Sequence, residues 1–466
     1  MHVLILGARA PACLEWVRVF RAAGWQVSAG DSLLWPVTRF SNAIHDYVRL
    51  PEPRPDPAGW IAALAREVGT RGIDLVLPTC EEAFYLSHGR PRIPARVIVP
   101  PFDLMHQLHH KGRFAEMVKG WTVEAPETHV LASRDDLDAF IQKSFPPRRE
   151  SSLAGLGSRS AQALSLPTSP ASGGGVRSLP NACASGGGVR PLPAGGEGRG
   201  GENSAEEQTH GVSLEPGDQP LDCHLGGNDE PGWVFKPAYS RFANRALLRP
   251  TAEQARALRP TPEHPWIAQR FAAGREHCSY SLLVAGRLTA HACYHPRYRV
   301  GRGSGIWFEP TDPAPVRAFL ERFGAETGYT GQVAFDYIEL ADGTCRVIEC
   351  NPRATSGVHL FDDQPERLVA ALLGADGVLT PTPAPRQVAL AMLLFATRKH
   401  GLDGRFWHDW RAARDVVARP GDRGPLPAQI PGLLEIVGRA LSRRCGLLAA
   451  ATADSEWNGQ SLDGKP

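Results

Sequence analysis

A hairpin in the last third of the chain constrains its fold more than any other feature. Gln332 to Glu339 reads as one strand, Ala341-Asp342-Gly343 as a tight turn, and Cys345 to Glu349 as the returning strand. The exit continues V-I-E-C-N-P-R-A-T-S-G-V-H-L from Val347 to Leu360, setting a carboxylate, an amide oxygen and a guanidinium within five residues. Side chains of an extended segment alternate faces, so Glu349 and Asn351 point one way and Cys350 the other. Asp336, thirteen residues before Glu349, adds a third oxygen from the partner strand. Magnesium takes one or two protein carboxylates and fills its octahedron with water and phosphate oxygens, so Asp336, Glu349 and Asn351 form a metal set with room for a triphosphate. Arg353 would pair with phosphate oxygens through its planar fork. A lone E-x-N-P-R reads more simply as a surface turn; the Asp336 partner sets this one apart.

The segment F-D-Y-I-E-L-A-D-G-T-C-R-V-I-E-C-N-P-R resembles the metal-binding hairpin of the ATP-grasp superfamily, the fold of carbamoyl-phosphate synthetase, biotin carboxylase and many carboxylate-amine ligases. Two further segments are similar in order and spacing. Trp233-Val234-Phe235-Lys236-Pro237 looks like the strand carrying a phosphate lysine, and Trp266 to Tyr280, W-I-A-Q-R-F-A-A-G-R-E-H-C-S-Y, like the interdomain strand beside the adenine. Lys111, in D-L-M-H-Q-L-H-H-K-G-R-F, resembles the first basic residue that touches phosphates. The resemblance implies ATP with Mg²⁺ or Mn²⁺ as cofactors. It implies Gln269 at the adenine amino group or ribose side, Arg270 and Phe271 offering backbone groups, and Glu276 as the ribose-side acid. Lys236 and Arg353 would be the catalytic cations. A single Lys after an apolar strand, or a single Glu after Gly-Arg, is otherwise a solvated charge, and only the order of the four segments makes the case.

One departure stands out. Members of the superfamily commonly close the triphosphate under a glycine-rich loop, because glycine lets backbone N–H groups approach phosphate. Here the lysine strand is followed by Ala238-Tyr239-Ser240-Arg241-Phe242-Ala243-Asn244-Arg245, without glycine. Either Arg241 and Arg245 replace backbone donors with charge, or the loop clamps ATP less well, or these arginines merely solvate a turn.

The expected class is α/β with α+β: an ATP-grasp fold behind an N-terminal parallel α/β domain (1–105), the ATP-grasp domain over 106–374, and a mostly helical C-terminal region over 375–466. In the first hundred residues, strands are expected at His2–Leu6, at Gln26–Ala29 with its end at Asp31, and at Leu75–Leu77, with helices at Ala12–Ala23 and Pro57–Gly69. Gly7-Ala8-Arg9-Ala10 lacks G-x-G-x-x-G and is a poor dinucleotide fingerprint. Thr79, Glu81 and Glu82 follow a strand's carboxyl end, where open sheets place ligands; a helix cap by Thr79 with acids on the dipole explains them as well. The stretch 145–231 is dense in Gly, Ser and Pro and repeats A-S-G-G-G-V-R-S-L-P as A-S-G-G-G-V-R-P-L-P. It buries too little to offset chain entropy and is expected to be a disordered, dispensable insert, with a regulatory role as the alternative.

His359 is a candidate proton carrier near the acceptor pocket or a structural histidine at a helix start. Asp415, Asp454, Glu456 and Asn458 cap the acceptor site or simply end helices. Hydrophobic residues at 42% and charged ones at 21% are ordinary for a globular protein, and a net charge of +2 gives no general attraction to nucleic acid. Nine cysteines without C-x-x-C spacing suggest reduced thiols in a cytoplasmic setting. The longest apolar run, Val388 to Ala396, is too short to span a bilayer, and the start reads as a first strand and not a signal peptide.

The expected activity is that of a ligase: a carboxylate attacks the γ-phosphate of ATP, and an amine or other nucleophile then displaces phosphate from the acylphosphate. The partners are small carboxylates and amines, with neither nucleic acid nor membrane, and a homodimer is left open. The rivals are an ATP-binding protein without turnover and a bicarbonate-activating carboxylase or carbamoylating enzyme. The absence of a biotin-carrier M-K-M and of a glutaminase region tells against the last of these.

Overall fold

A computed structural model describes residues 1–145, 232–239, 246–301, 303–396, 401 and 403–462. The insert expected over 145–231 falls outside them apart from Phe145, and 240–245, with Arg241 and Arg245, falls outside them too.

The N-terminal strands are β1 (His2–Leu6), β2 (Gln26–Asp31), β3 (Asp46–Arg49), β4 (Leu75–Leu77) and β5 (Arg96–Val97). They pair in parallel in the order β3-β2-β1-β4-β5. β1 is buried along its whole length, as a strand covered on both faces by helices must be. Helix α1 (Pro11–Ala22) starts on a proline whose missing N–H costs nothing in the first turn. Helix α2 (Pro57–Arg71) runs two residues past its expected end, to Gly72 in the left-handed conformation. Helices α3 (Glu82–Gly89), α4 (Phe102–His109) and α5 (Lys111–Met117) lead out of this sheet.

A four-stranded antiparallel sheet, order β6-β9-β7-β8, follows: β6 (Thr128–Leu131), β7 (Trp233–Pro237), β8 (Leu247–Leu248) and β9 (Trp266–Arg270). Helices α6 (Arg134–Ser144) and α7 (Ala252–Arg256) belong to the same part of the chain. The segment Trp266 to Tyr280, expected as one strand, is two. It breaks between Arg270 and Arg275, and β10 (Arg275–Val284) enters a different sheet. Gly274 sits in the break, where a Cβ would come within 2.1 Å of the Glu339 carbonyl oxygen.

The large sheet has the order β14-β13-β10-β11-β12-β15-β16, with β11 (Arg287–Val300), β12 (Ser304–Thr311), β13 (Gly331–Glu339), β14 (Cys345–Asn351), β15 (Arg386–Gln387) and β16 (Arg414–Asp415). Helix α8 (Ala314–Thr327) buries Phe319 and Phe323 against Phe335 and Tyr337 of β13. Helix α9 (Pro365–Leu373) packs in the same core as α1. The C-terminal region is mostly helical, with α10 (Gly404–Ala412), α11 (Pro425–Arg443) and α12 (Leu447–Thr452), and it also supplies β15 and β16. Among the described residues no helix is long and apolar enough to cross a membrane.

Buried polar contacts join these parts. Trp16 Nε1 and the Tyr280 hydroxyl both donate to Gln332 Oε1, at 2.7 and 2.8 Å. Glu15 on α1 receives Arg419 at 2.6 Å and His359 Nδ1 at 2.8 Å, while Asp362 meets Arg386, Arg414 and Arg419. Against the burial that opposes ionisation, Arg419 and His359 hold the Glu15 carboxyl below its ordinary 4.5, and Arg386 and Arg419 hold that of Asp362 below 3.8. Depressed carboxyls stabilise the fold at pH above their unfolded values, and that stability is lost as pH falls through the folded ones. Losing these two contributions should therefore lower the melting temperature by several degrees below about pH 4. Thermal denaturation over a pH series measures this. Glu15→Gln should remove part of the acid dependence while lowering stability at neutral pH.

Candidate functional site

Cross-strand register fixes the centre of the site. In the β13–β14 pair Asp336 lies opposite Glu349 and Ala334 opposite Asn351, with a bulge after Asp336. Asn351 Nδ2 comes within 3.4 Å of Asp336 Oδ2, and Asn351 Oδ1 accepts from Arg353 Nη2 at 3.2 Å. The three oxygen-bearing side chains share a face, and Cys350 points into the core beneath. The amide presents its NH₂ to Asp336, so a cation held there would take the oxygen only after the amide turns over.

Burial, the Glu349 charge and the Glu276 charge, in that order, push the Asp336 carboxyl up to about 7. Two carboxylates forced together in a buried setting cannot both ionise cheaply without a cation, and hard oxygen donors of this kind suit Mg²⁺ or Mn²⁺. The donor set therefore fits a divalent metal. Among the described residues no cluster of three or more His, Cys, Asp or Glu could hold one. Were a metal held here, the Asn351 amide oxygen would be the third protein donor beside the two acids.

Two lysines close on this pair. Lys111, buried at the start of α5, reaches Glu349 Oε2 at 3.4 Å. Lys236 on β7 donates to the Ile348 carbonyl at 3.3 Å. Burial and the neighbouring Lys111 lower the Lys236 amine to about 8 against the opposing pull of Glu349 and Asp336. The Lys111 N–H donates to the Ala238 carbonyl at 3.1 Å, so the two lysine-bearing segments are tied by backbone. Arg353 stands 3.9 Å from Glu81, whose other oxygen accepts the Trp457 N–H at 3.1 Å.

Glu276 on β10 pairs with Arg299 of β11 at 2.5 Å, next to the Cys278–Asp336 register pair. The remaining predicted residues are not brought to the acid pair. Gln269 is buried and donates its amide to Thr128 at 3.0 Å inside the four-stranded sheet. The Arg270 N–H is taken by the Glu127 carbonyl and the Phe271 N–H by the Gly232 carbonyl, both at 2.8 Å, so neither N–H is open to a ligand. The Arg270 guanidinium lies over the Trp233 ring and that of Arg249 over Phe271.

Thr79 does not cap the helix, since its hydroxyl donates to the Leu6 carbonyl at 2.6 Å and α3 begins after Glu81; Glu82 instead accepts the Thr79 and Cys80 N–H groups at 2.9 Å each. His359 is buried against Glu15 and stacks on Phe308, away from solvent. Asp415 caps backbone N–H groups of Ala389 and Ala418, and Asp454 pairs with Arg9 and Arg439. Glu456 stands 3.9 Å from Arg54, and the Asn458 N–H bonds Gln460.

Sequence reasoning missed three features. Arg299 carries no motif, and only strand pairing brings it to Glu276. Glu81 gave a signal in L-P-T-C-E-E but no hint that its partner is Arg353. Trp457 sits nearly inaccessible among Phe84, His109 and Tyr239, so the C-terminal tail packs on the first residues after the Lys236 strand.

No family model matches the chain, and no curated protein does. Solved structures do. N5-carboxyaminoimidazole synthetase from Staphylococcus aureus complexed with ADP aligns with a TM-score of 0.51 at 11% identity, over 94% of this chain and 97% of that one. The ADP complex of an N5-carboxyaminoimidazole ribonucleotide synthetase aligns with a TM-score of 0.51 at 11% identity, over 84% of each chain. At such identities the likeness is one of fold.

Proposed function

We propose that this chain, which has the ATP-grasp fold, is an ATP-dependent ligase that activates a carboxylate as an acylphosphate for attack by an amine or other nucleophile. The observation that carries the reading is the convergence of Lys111, Lys236 and Arg353 on the face holding Asp336, Glu349 and Asn351. Cations arranged around an acid pair that needs a metal suit a nucleotide triphosphate, and little else of comparable size carries such charge. The two solved structures compared above were determined with ADP bound, which supports the nucleotide half of the reading.

In this account Asp336, Glu349 and Asn351 would hold Mg²⁺ or Mn²⁺. When bound, the metal neutralises charge on the β- and γ-phosphates. Lys111 and Lys236 offset further phosphate charge, and Glu276 takes the ribose side. The acceptor carboxylate oxygen attacks the γ-phosphorus as the bond to the β-bridging oxygen breaks, releasing ADP. The amine then adds to the acyl carbon, inorganic phosphate leaves with the bonding pair, and the amine gives up a proton. Arg353 is placed to hold the transferring phosphoryl group or the acid, because it lies beside both Asn351 and the N-terminal platform residue Glu81. Gln269, with its amide engaged by Thr128, serves as support for the adenine strand. A cytoplasmic setting belongs to the same reading, and the described cysteines are free thiols.

An ADP-release screen of amino acids, hydroxy acids, small peptides and bicarbonate, with purified protein, Mg²⁺ and ATP, tests it. The expected result is acceptor-dependent ADP formation with an organic acid. ADP formed with bicarbonate alone would move the reading to a carboxylase, and ATP binding without ADP release under any acceptor would contradict turnover.

A further inference from the structure

Helix α11 is amphipathic in the wrong sense for a surface helix. Its two mid-helix charges face the protein: Glu435 accepts the Leu34 and Trp35 N–H groups at 2.9 and 2.8 Å, and Arg439 pairs with Glu52 at 3.0 Å. Its solvent side carries Leu426, Ile430, Leu433, Leu434 and Leu441, each between 44% and 74% exposed. These positions recur at helical spacing and form one stripe. Leu447 and Leu448 on the adjoining α12 extend it, at 51% and 40% exposure.

We propose that this stripe is the interface through which two copies of the chain associate about a twofold axis. Side chains of this size and exposure contribute about 100 Å² each, so the patch comes to roughly 700 Å². An ordinary monomer's largest apolar patch is roughly 300–600 Å², while one partner of a stable interface buries about 800 Å². An uncharged stripe is also self-complementary, as an isologous contact requires.

Gly438 gives a second, independent sign. It is exposed on the same face, in a helix interior, where glycine costs about 1 kcal/mol relative to alanine. Among the described residues, nothing lies within 4 Å of the place a Cβ would take. None of the described residues uses the missing side chain, whereas a second α11 crossing there could bring its backbone close. Arg423, exposed just before the first residue of the stripe, would splay into solvent at a crossing angle of about 50°.

Sedimentation velocity of the full chain across micromolar concentrations tests the proposal. The expected species is twice the chain mass of 50.5 kDa. Leu433→Glu with Leu441→Glu should raise the dimer dissociation constant by about 100-fold or more, because both side chains would be buried and unpaired only in the dimer. Gly438→Leu should weaken association by about 10-fold or more while leaving the melting temperature equal or higher, since it removes a helix-interior glycine into open space. That variant separates a lost interface from a lost fold. A wild-type monomer at every concentration, or a dimer indifferent to both sets of substitutions, would overturn the proposal. So would a monomer that cosediments with phosphatidylglycerol vesicles through this stripe, which would assign it to a lipid surface.

Discussion

Glu349→Gln should abolish acceptor-dependent ADP formation, by about a thousandfold or more, while the protein stays folded. The substitution keeps the shape and removes one charge from the face proposed to hold the nucleotide. Lys111 loses its anionic partner, and Asp336 loses the neighbour that, after burial, does most to keep its proton on. With that like charge gone, the Asp336 carboxyl should fall from about 7 toward its ordinary range and partly compensate Lys111. The melting temperature should therefore move by only a few degrees while turnover is lost. Rates of ADP release alongside thermal denaturation check both halves. A variant that retains Mg-dependent turnover would remove Glu349 from the site.

Lys236→Met should raise stability and, like Glu349→Gln, abolish activity. The Lys236 amine is buried, and its ordinary value of 10.5 is depressed to about 8. A group whose charged form is disfavoured in the folded state destabilises it below the folded value, and the cost fades as pH rises from about 8 to the unfolded value. At about 1.4 kcal/mol per unit, the cost at neutral pH is roughly 3 kcal/mol, of which the lost Ile348 hydrogen bond and the charge left on Glu349 return a part. Methionine of similar volume should thus raise the melting temperature by a few degrees at pH 7, with the gain shrinking above pH 8. ATP affinity should fall by about 100-fold or more, because the phosphate loses a desolvated cation. A loss of both stability and binding would mean that Lys236 is structural.

What the sequence revealed follows from how local each signal is. The hairpin was legible because alternation, a D-G turn and E-x-N all lie within twenty residues, and the observed register places Asp336 opposite Glu349. Lys236 was legible as the polar end of a buried apolar strand. The parallel sheet showed in β1 and β4, whose burial leaves continuous apolar runs, and in β2, which follows the helix stop at Gly24. β3 and β5 did not show, being four and two residues long with exposed positions. The break at Gly274 was invisible because a close approach by the Glu339 carbonyl leaves no trace in the sequence around residue 274. Long-range pairs such as Glu276–Arg299, Glu81–Arg353 and Trp457 against Tyr239 depend on topology and carry no sequence period. His359 illustrates a residue whose chemistry suggested one role and whose surroundings assign another: Glu15 lies 344 positions away in the chain and 2.8 Å away in the fold.

Isothermal titration of ATP into the full-length protein, with Mg²⁺ and then with the metal chelated, bears most directly on the acid pair as a metal-nucleotide site. The account predicts saturable binding that needs the divalent ion and disappears in Glu349→Gln. Binding of equal strength without metal, or unchanged in that variant, would contradict it.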